Sequence, residues 1–203
     1  MVDGRSQLSR AVVVDLDGTL LRQNSFRLYV RAGIKTRHAP FVLLNTIVRK
    51  MGLTDHNSYR ERCMRLIGFG ADVLGYMKRK AVFSKTVVEF IEARRREGYR
   101  IVLATAALEG YVGYLWDGEY TATRHTPTKI LRDSRGHAKL HDVRKLLGGS
   151  LPEYIISDSP ADYPLMRAVS AAGGTAILAN PTLSAASFYT KNLPGVKILK
   201  ETT

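Results

Sequence analysis

Hydrophobic residues along the chain follow two spacings. Continuous apolar runs predict buried strands at 11–14 and in "RIVLAT", "EYIISD" and "TAILAN", and "EYTATR" indicates a shorter strand. Apolar residues at helical spacing lie between these runs in "SKTVVEFIEARRREGYR", "EGYVGYLW", "AKLHDVRKLLG" and "ADYPLMRAVSAAGG". Strands that alternate with helices predict an α/β fold, a Rossmann-like parallel sheet with helices on both faces.

The segment from residue 24 to about 82 shows helical spacing alone. Glycines and turn residues divide it into "SFRLYVRA", "RHAPFVLLNTIVRKM", "SYRERCMRLIGF" and "ADVLGYMKRKAV". We therefore expect residues 1–21 and 83–203 to form an α/β core domain and residues 22–82 a small all-helical cap inserted after the first strand. The stretch "APFVLLNTIV" at 39–48 is flanked by basic residues, and we expect a helix that faces the core rather than a membrane interface.

Composition narrows the classes of protein. Hydrophobic residues make up 45% of the 203, enough for a packed core, and 31 Lys and Arg against 18 Asp and Glu give a net charge of +13. Such a surface attracts the phosphates of nucleic acid, anionic lipid or metabolites. No apolar run reaches the roughly 18 residues of a transmembrane segment, and the start "MVDGRSQLSR" is too polar for a secretory signal. With the single Cys63 excluding an internal disulfide, we expect a cytoplasmic location.

Polar side chains stand where three of the predicted strands end. Asp15, Thr105 and Asp158 each follow an apolar run. Because the carboxyl ends of parallel strands meet at one edge of a sheet, where ligands bind, we expect the three to lie together. Asp15 and Asp17 repel each other at this spacing, and a Mg²⁺ ion held by carboxylates and phosphate oxygens would offset the repulsion.

These residue types suit phosphoryl transfer. Asp15 can attack phosphorus and form an aspartyl-phosphate, and Asp17 can protonate the leaving oxygen and then deprotonate a water. The Thr105 hydroxyl, the Lys139 ammonium and backbone amides around Gly18 can stabilise the equatorial oxygens. Taken singly, each residue also suits a turn, a strand, a surface lysine or a helix cap, but their joint order favours the catalytic interpretation.

The four motifs "DLDGTL", "VLATAA", "RGHAKLHDVRKLLG" and "SDSPAD" resemble, in this order, those of the haloacid dehalogenase superfamily. The resemblance covers nearly the whole chain, and a helical insertion between the first two motifs is similar to the phosphoserine phosphatase-like branch. It implies that Asp15 is the nucleophile and Asp17 the acid and base. An aspartate at position 17 favours a phosphatase, because the family's dehalogenases and transport ATPases lack it.

The resemblance also implies a Mg²⁺ site. Its ligands would be Asp15, the backbone carbonyl of Asp17 and Asp158, with Asp162 supporting Lys139 and the metal region. Ser157 departs from the family's usual glycine, a change that removes no ligand.

Two residues of the cap bear on the substrate. "SYRERCMRLIGF" resembles the cap segment of phosphoserine phosphatases, with Arg62 at the position of their substrate-carboxylate arginine. Asn24 replaces the acidic residue that binds the amino group there, and an amide binds an ammonium less well than a carboxylate does. "LLRQNSF" with the basic-apolar helix after it is similar to bacterial lipid-phosphate phosphatases of this branch.

We therefore expect a Mg²⁺-dependent hydrolase of a small or lipid-linked anionic phosphomonoester, with peripheral membrane contact compatible with this function. One alternative is a nucleic-acid end phosphatase, which the charge suggests, although aromatics do not alternate with the basic residues as stacking requires. Another is a non-catalytic basic module that binds membrane or nucleic acid, which the acidic motifs disfavour. The sequence leaves the oligomeric state open.

Three other reactive residues have structural interpretations. His137 and His141 share a helix face at a spacing that metals use, but without a third ligand we expect surface or capping roles. Cys63 lies in a helical pattern without a histidine partner and is expected to be a buried packing thiol.

Overall fold

A seven-stranded sheet forms the centre of the computed structural model, which describes residues 7–201. Residues 1–6 of the polar N-terminal stretch lie outside the described residues, as do 202 and 203. The strands are β1 (Leu8–Val14), β2 (Arg100–Leu108), β3 (Glu119–His125), β4 (Ile130–Arg132), β5 (Leu151–Ser157), β6 (Thr175–Ala179) and β7 (Lys197–Leu199). Their order is β4-β3-β2-β1-β5-β6-β7, and every pair is parallel except the antiparallel β3 and β4.

Helices cover both faces of this sheet, which confirms the predicted fold class. They are α1 (Ser25–Gly33), α2 (Ala39–Lys50), α3 (His56–Ile67), α4 (Ala71–Lys80), α5 (Lys85–Arg96), α6 (Glu109–Leu115), α7 (His137–Leu146), α8 (Tyr163–Ala171) and α9 (Leu183–Asn192), with a 3₁₀ turn at Pro160–Asp162. Successive side chains of β1 point to opposite faces. Val12 and Val14 belong to the core cluster that includes the helical insertion, and Ala11 and Val13 to the cluster beneath α7 and α8.

The insertion after β1 is helical throughout, as its spacing predicted. Helices α1 to α4 pack on one another, and an aromatic group joins them to the sheet: Tyr29 stacks on Phe69 at 5.3 Å between ring centroids and lies 5.5 Å from Tyr111 of α6. The division into a core and a cap domain stays a prediction. None of the helices within residues 7–201 is long and apolar enough to cross a membrane.

Helix α2 does not face the core as expected. Only Val42 and Asn45 of this helix are buried, and its larger apolar side chains, such as Phe41 and Leu44, are exposed. The helix packs on α3 through the side that carries Val42 and Asn45, and Asn45 and Thr46 make polar contacts to Tyr59 of α3. The prediction of a core-facing helix was therefore wrong for most of its apolar residues.

The chain enters and leaves the helical segment through two connections that run side by side. Leu21 forms an antiparallel bridge with Phe83. Arg22 N–H donates to the Val82 carbonyl at 2.9 Å, and Val82 N–H donates to Gln23 Oε1 at 2.9 Å. The two connections are thus hydrogen-bonded to each other directly beside the β1 end of the sheet.

Other differences from the predicted elements are local. Strand β2 continues three residues past Thr105, with a register shift against β3 between Ala104 and Leu108. The pattern did not predict β4, β7 or α9; the two strands have three residues each and carry too few buried side chains to give a periodic signal.

Candidate active site

The register of the sheet brings the predicted strand-end residues together. Val14 lies opposite Leu103 of β2 on one side and Ile156 of β5 on the other. When this strand register is extended past Val14, Thr105 and Asp158 each lie one residue beyond the position opposite Asp15. The Asp15 N–H continues the ladder by donating to the Ile156 carbonyl at 2.9 Å. Three predicted site residues therefore share one edge of the sheet.

Lys139 makes the main charge contact of Asp15. Its Nζ lies 2.8 Å from Asp15 Oδ1 and 2.7 Å from Asp162 Oδ1, and all three side chains are nearly inaccessible to solvent. Burial raises the pKa of Asp15 to about 8, opposed by the Lys139 ammonium. Burial alone would lower the pKa of Lys139, but the two carboxylates raise it, so this lysine stays charged. Helix α7 thus supplies the expected cation to Asp15.

Besides Lys139, Ser157 also fixes the carboxylate of Asp162. Its Oδ2 accepts a 2.7 Å hydrogen bond from the Ser157 hydroxyl, which in turn accepts the Ser159 N–H at 3.2 Å. The serine that departs from the family motif therefore has a partner: it orients the carboxylate that holds Lys139.

Asp17 faces the start of the helical segment. Its Oδ1 accepts the Ser25 N–H at 2.6 Å, and its Oδ2 lies 3.4 Å from Asn24 Nδ2. Asn24 is the N-cap of α1, with Oδ1 accepting the Arg27 N–H at 2.9 Å. Burial raises the pKa of Asp17, and the hydrogen bonds from Ser25 partly lower it again. The predicted Asn24 thus contacts the candidate acid and also caps a helix.

The turn after Asp15 fits closely against Asp158. Gly18 has φ +79°, and a Cβ at this position would lie 2.2 Å from Asp158 Oδ2, so both the conformation and the space require glycine. Thr19 donates to Asp158 Oδ1 at 3.3 Å. Burial raises the pKa of Asp158 to about 6, although hydrogen bonds from its own backbone and Thr19 act in the opposite direction.

Thr105 is buried inside β2 rather than at its end. Its Oγ1 accepts the Ala107 N–H at 3.0 Å, which bends the backbone where the register with β3 shifts. The hydroxyl proton remains available as a donor, since this bond uses only an acceptor lone pair.

A cavity of about 1070 Å³ opens between Asp17, Asp158 and the helices α1 to α3. Five basic residues line it: Arg22, Arg27, Arg31, Arg49 and Lys50. Asp17 and Asp158 are the only acidic side chains among the described residues that line the cavity. The cavity therefore suits a molecule that carries a further negative charge in addition to one phosphate. The individual motif residues did not indicate this property.

Arg60, rather than the predicted Arg62, is buried beside this edge of the sheet. Arg62 is exposed on α3. Arg60 Nη2 donates to the Ala106 carbonyl at 2.8 Å, and its guanidinium lies 5.9 Å from the ring centre of Phe26, which lines the cavity. Its Nη1 is 3.6 Å from Asp133 Oδ1 and has no hydrogen-bond partner in residues 7–201. Burial raises the pKa of Asp17, and the positive charge of Arg60 acts in the opposite direction.

The remaining reactive residues lie where the sequence indicated. His137 and His141 are exposed on α7. Cys63 is fully buried and accepts a 3.3 Å hydrogen bond from Asn45 Nδ2; burial raises the pKa of its thiol to about 11. The prediction of a packing thiol is confirmed.

The donor set at the sheet edge fits a hard cation. Asp15 and Asp158 offer carboxylate oxygens and Asp17 a backbone carbonyl, the oxygen ligands that Mg²⁺ prefers. Burial raises the pKa of both carboxyls, and a bound cation would offset the cost of keeping them charged there. No cluster of three His, Cys, Asp or Glu side chains is placed to hold a metal within the described part of the chain. Only two of the expected Mg²⁺ ligands, Asp15 and Asp158, are side chains, and the third is the backbone carbonyl of Asp17. The expected ligand set therefore does not require a cluster of three side chains.

The chain belongs to the haloacid dehalogenase-like hydrolases, whose family profile matches residues 12–167. The expected superfamily is thereby confirmed. No curated protein matches the sequence.

Solved structures share the fold. A protein with unknown function from Bordetella pertussis Tohama I is 18% identical, with a TM-score of 0.74 over 97% of this chain and 100% of its own. A HAD family hydrolase from Salmonella enterica serovar Typhi is 14% identical, with a TM-score of 0.64 over 89% of this chain and 66% of its own. A phosphoserine phosphatase in apo form is 14% identical, with a TM-score of 0.62 over 95% and 93%. The fold is thus the one that phosphatases of this family use.

Proposed function

We propose that this protein is a Mg²⁺-dependent phosphomonoester hydrolase that works through an aspartyl-phosphate on Asp15. The observation that carries the proposal is the pairing of two differently held carboxylates at the end of β1. Asp15 is bound to Lys139, whereas Asp17 is bound to backbone and amide N–H groups. One carboxylate can act as nucleophile while the other handles protons.

In the first step an oxygen of Asp15 attacks phosphorus, and the bond to the leaving oxygen breaks. Asp17 gives its proton to that oxygen; its raised pKa favours the protonated form that this step needs. Lys139 and the Thr105 hydroxyl bind the equatorial oxygens as charge develops. In the second step Asp17 takes a proton from water, which attacks the aspartyl-phosphate and releases phosphate.

Asp15, the Asp17 carbonyl and Asp158 would hold Mg²⁺. When bound, the ion supplies positive charge that neutralises the phosphate oxygens and the clustered carboxylates. Gly18 and Asp162 support this arrangement, Gly18 by giving Asp158 room and Asp162 by holding Lys139.

The lining of the cavity supports the proposed substrate class. Its basic lining favours a phosphomonoester with a second anionic group, small or lipid-linked, and Arg60 offers a buried cation near Phe26. Asn24 places no acid beside an incoming ammonium, which disfavours phosphoserine. We include in the proposal that residues 22–82 form a cap that selects the substrate, and that the protein works in the cytoplasm, where its free Cys63 stays reduced.

Turnover of p-nitrophenyl phosphate with Mg²⁺ and with EDTA tests the reaction. We expect release of p-nitrophenol that requires the metal; equal rates in EDTA would contradict the proposal. A panel of phosphoserine, dianionic and trianionic phosphomonoesters, a lipid phosphate and a 5′-phosphorylated oligonucleotide tests the class. Phosphoserine at the head of the panel would show that the Asn24 argument is wrong, and the oligonucleotide at its head would favour an end phosphatase.

A further inference from the structure

An exposed apolar patch lies on α2 and the turn after it. Its six side chains are 46% to 68% exposed: Phe41, Leu43, Leu44, Ile47, Met51 and Leu53. We call this surface the α2 patch. Scattered exposed apolar residues are normal, but a contiguous group of this kind marks an interaction surface in a folded protein.

The α2 patch cannot turn inward without breaking the packing of the helix. With 3.6 residues per turn, Leu43, Leu44 and Ile47 lie on the face opposite Val42 and Asn45, and Phe41 lies at the edge of this face next to Leu44. Asn45 Nδ2 donates to the Tyr59 carbonyl at 3.3 Å, and the Thr46 hydroxyl lies 3.2 Å from the Tyr59 hydroxyl. These contacts fix α2 on α3 with the patch directed to solvent.

The charge around the patch is mainly positive, and the exposed Asp55, two residues after Leu53, is an acidic exception. From residue 18 to residue 54 the sequence contains no Asp or Glu and seven basic residues: Arg22, Arg27, Arg31, Lys35, Arg37, Arg49 and Lys50. All of them except Arg49 are exposed. A second copy of this chain would bring the same positive charge to the contact. An anionic bilayer offers both an apolar layer and negative headgroups, so it matches both properties.

We propose that α2 docks this protein on an anionic lipid surface, with the α2 patch inserted at the boundary between headgroups and acyl chains. Arg49 on the opposite side of the helix, with Thr46 and Lys50 on its flank, lines the cavity that reaches Asp17 and Asp158. Docking therefore brings the cavity within about one helix diameter, roughly 10 Å, of the headgroups. The docking itself requires no turnover and stands apart from the proposed reaction.

Co-sedimentation of the full chain with vesicles tests the docking. We expect binding to vesicles that contain phosphatidylglycerol at low salt, and at least about tenfold weaker binding to pure phosphatidylcholine or at high salt. The triple variant Phe41→Gln, Leu44→Gln, Ile47→Gln should bind anionic vesicles at least about tenfold more weakly.

A matched control replaces exposed apolar residues elsewhere. Leu131→Gln with Leu183→Gln changes side chains that are 62% and 92% exposed and lie outside the patch. This variant should bind vesicles like the unaltered protein, and both variants should keep its circular dichroism. Neither vesicle lipid is a phosphomonoester, so a failure to bind is distinguishable from a failure to hydrolyse.

Three results would overturn the docking proposal. One is no binding to anionic vesicles at low salt. Another is a triple variant that binds as well as the control. The third is a dimer in light scattering that the triple variant alone dissociates, which would assign the patch to a second copy of the chain.

Discussion

The Lys139 ammonium lies 2.8 Å from Asp15, although the two residues are 124 positions apart in the chain. Helix α7 delivers the cation to the end of β1, and Asp162 holds it there from the other side. Burial raises the pKa of Asp15 to about 8, and the contact with Lys139 opposes this shift and orients the carboxylate.

Asp15→Asn should lower turnover of p-nitrophenyl phosphate by at least about a thousandfold, because an amide does not attack phosphorus. Steady-state assays of the purified variant with saturating Mg²⁺ measure the loss. Asp117→Asn, at an exposed position far along the chain, is the control and should retain full activity. Near-normal turnover in the Asp15 variant would exclude the aspartyl-phosphate mechanism.

Asp17→Asn should keep the backbone carbonyl in place but lose proton transfer, an effect of about 10² to 10⁴ on the rate. An alkoxide leaving group needs the proton more than p-nitrophenolate does. Pre-steady-state measurements of the first step should therefore show a larger loss for alkyl than for aryl phosphates. Equal slowing of both would mean that Asp17 is not the acid.

Asp158→Ala should raise the Mg²⁺ concentration required for half-maximal activity, because one of few hard oxygen ligands is removed. A Mg²⁺ titration at fixed substrate measures the shift, and Glu89→Ala at an exposed position of α5 is the control. If the two variants share one titration curve, Asp158 serves as a structural residue of the turn and not as a ligand.

The next test compares a buried and an exposed arginine of α3 through the variants Arg60→Met and Arg62→Met. Loss of the positive charge next to the cavity residue Phe26 should raise KM for a substrate with a second anionic group by about tenfold or more. Arg62→Met should stay close to the unaltered protein. Thermal unfolding of both variants distinguishes lost binding from lost folding. A KM increase confined to the Arg62 variant would restore the sequence-based assignment.

The strand ends and their motifs were predictable because they combine two local signals. Asp15 and Asp158 each close an apolar run, and a parallel sheet places such ends together regardless of long-range detail. The burial of Arg60 was not predicted, although a signal for it existed. Tyr59, Arg60, Cys63, Met64 and Ile67 are the buried residues of α3. Their helical spacing includes Arg60 and leaves out Arg62.

The exposed face of α2 could not be predicted from the sequence, for a different reason. Apolar residues occupy most of this helix, so periodicity alone cannot tell which face another helix covers. That choice depends on the polar contacts that Asn45 and Thr46 make to α3, which are long-range. Similarly, Thr105 was expected to end its strand, but β2 continues to Leu108 because pairing with β3 resumes after the shift.

The paired connections at Leu21 and Phe83 have a mechanical consequence. Because the entering and leaving chains are hydrogen-bonded to each other, they form a two-stranded ribbon rather than two independent tethers. A ribbon bends easily across its flat side and resists bending within its plane. Any movement of α1 to α4 relative to the sheet would therefore be a rotation about a single axis next to Asp17. Because Asn24 and Ser25 belong to this segment, such a rotation would also change the hydrogen bonds that Asp17 accepts.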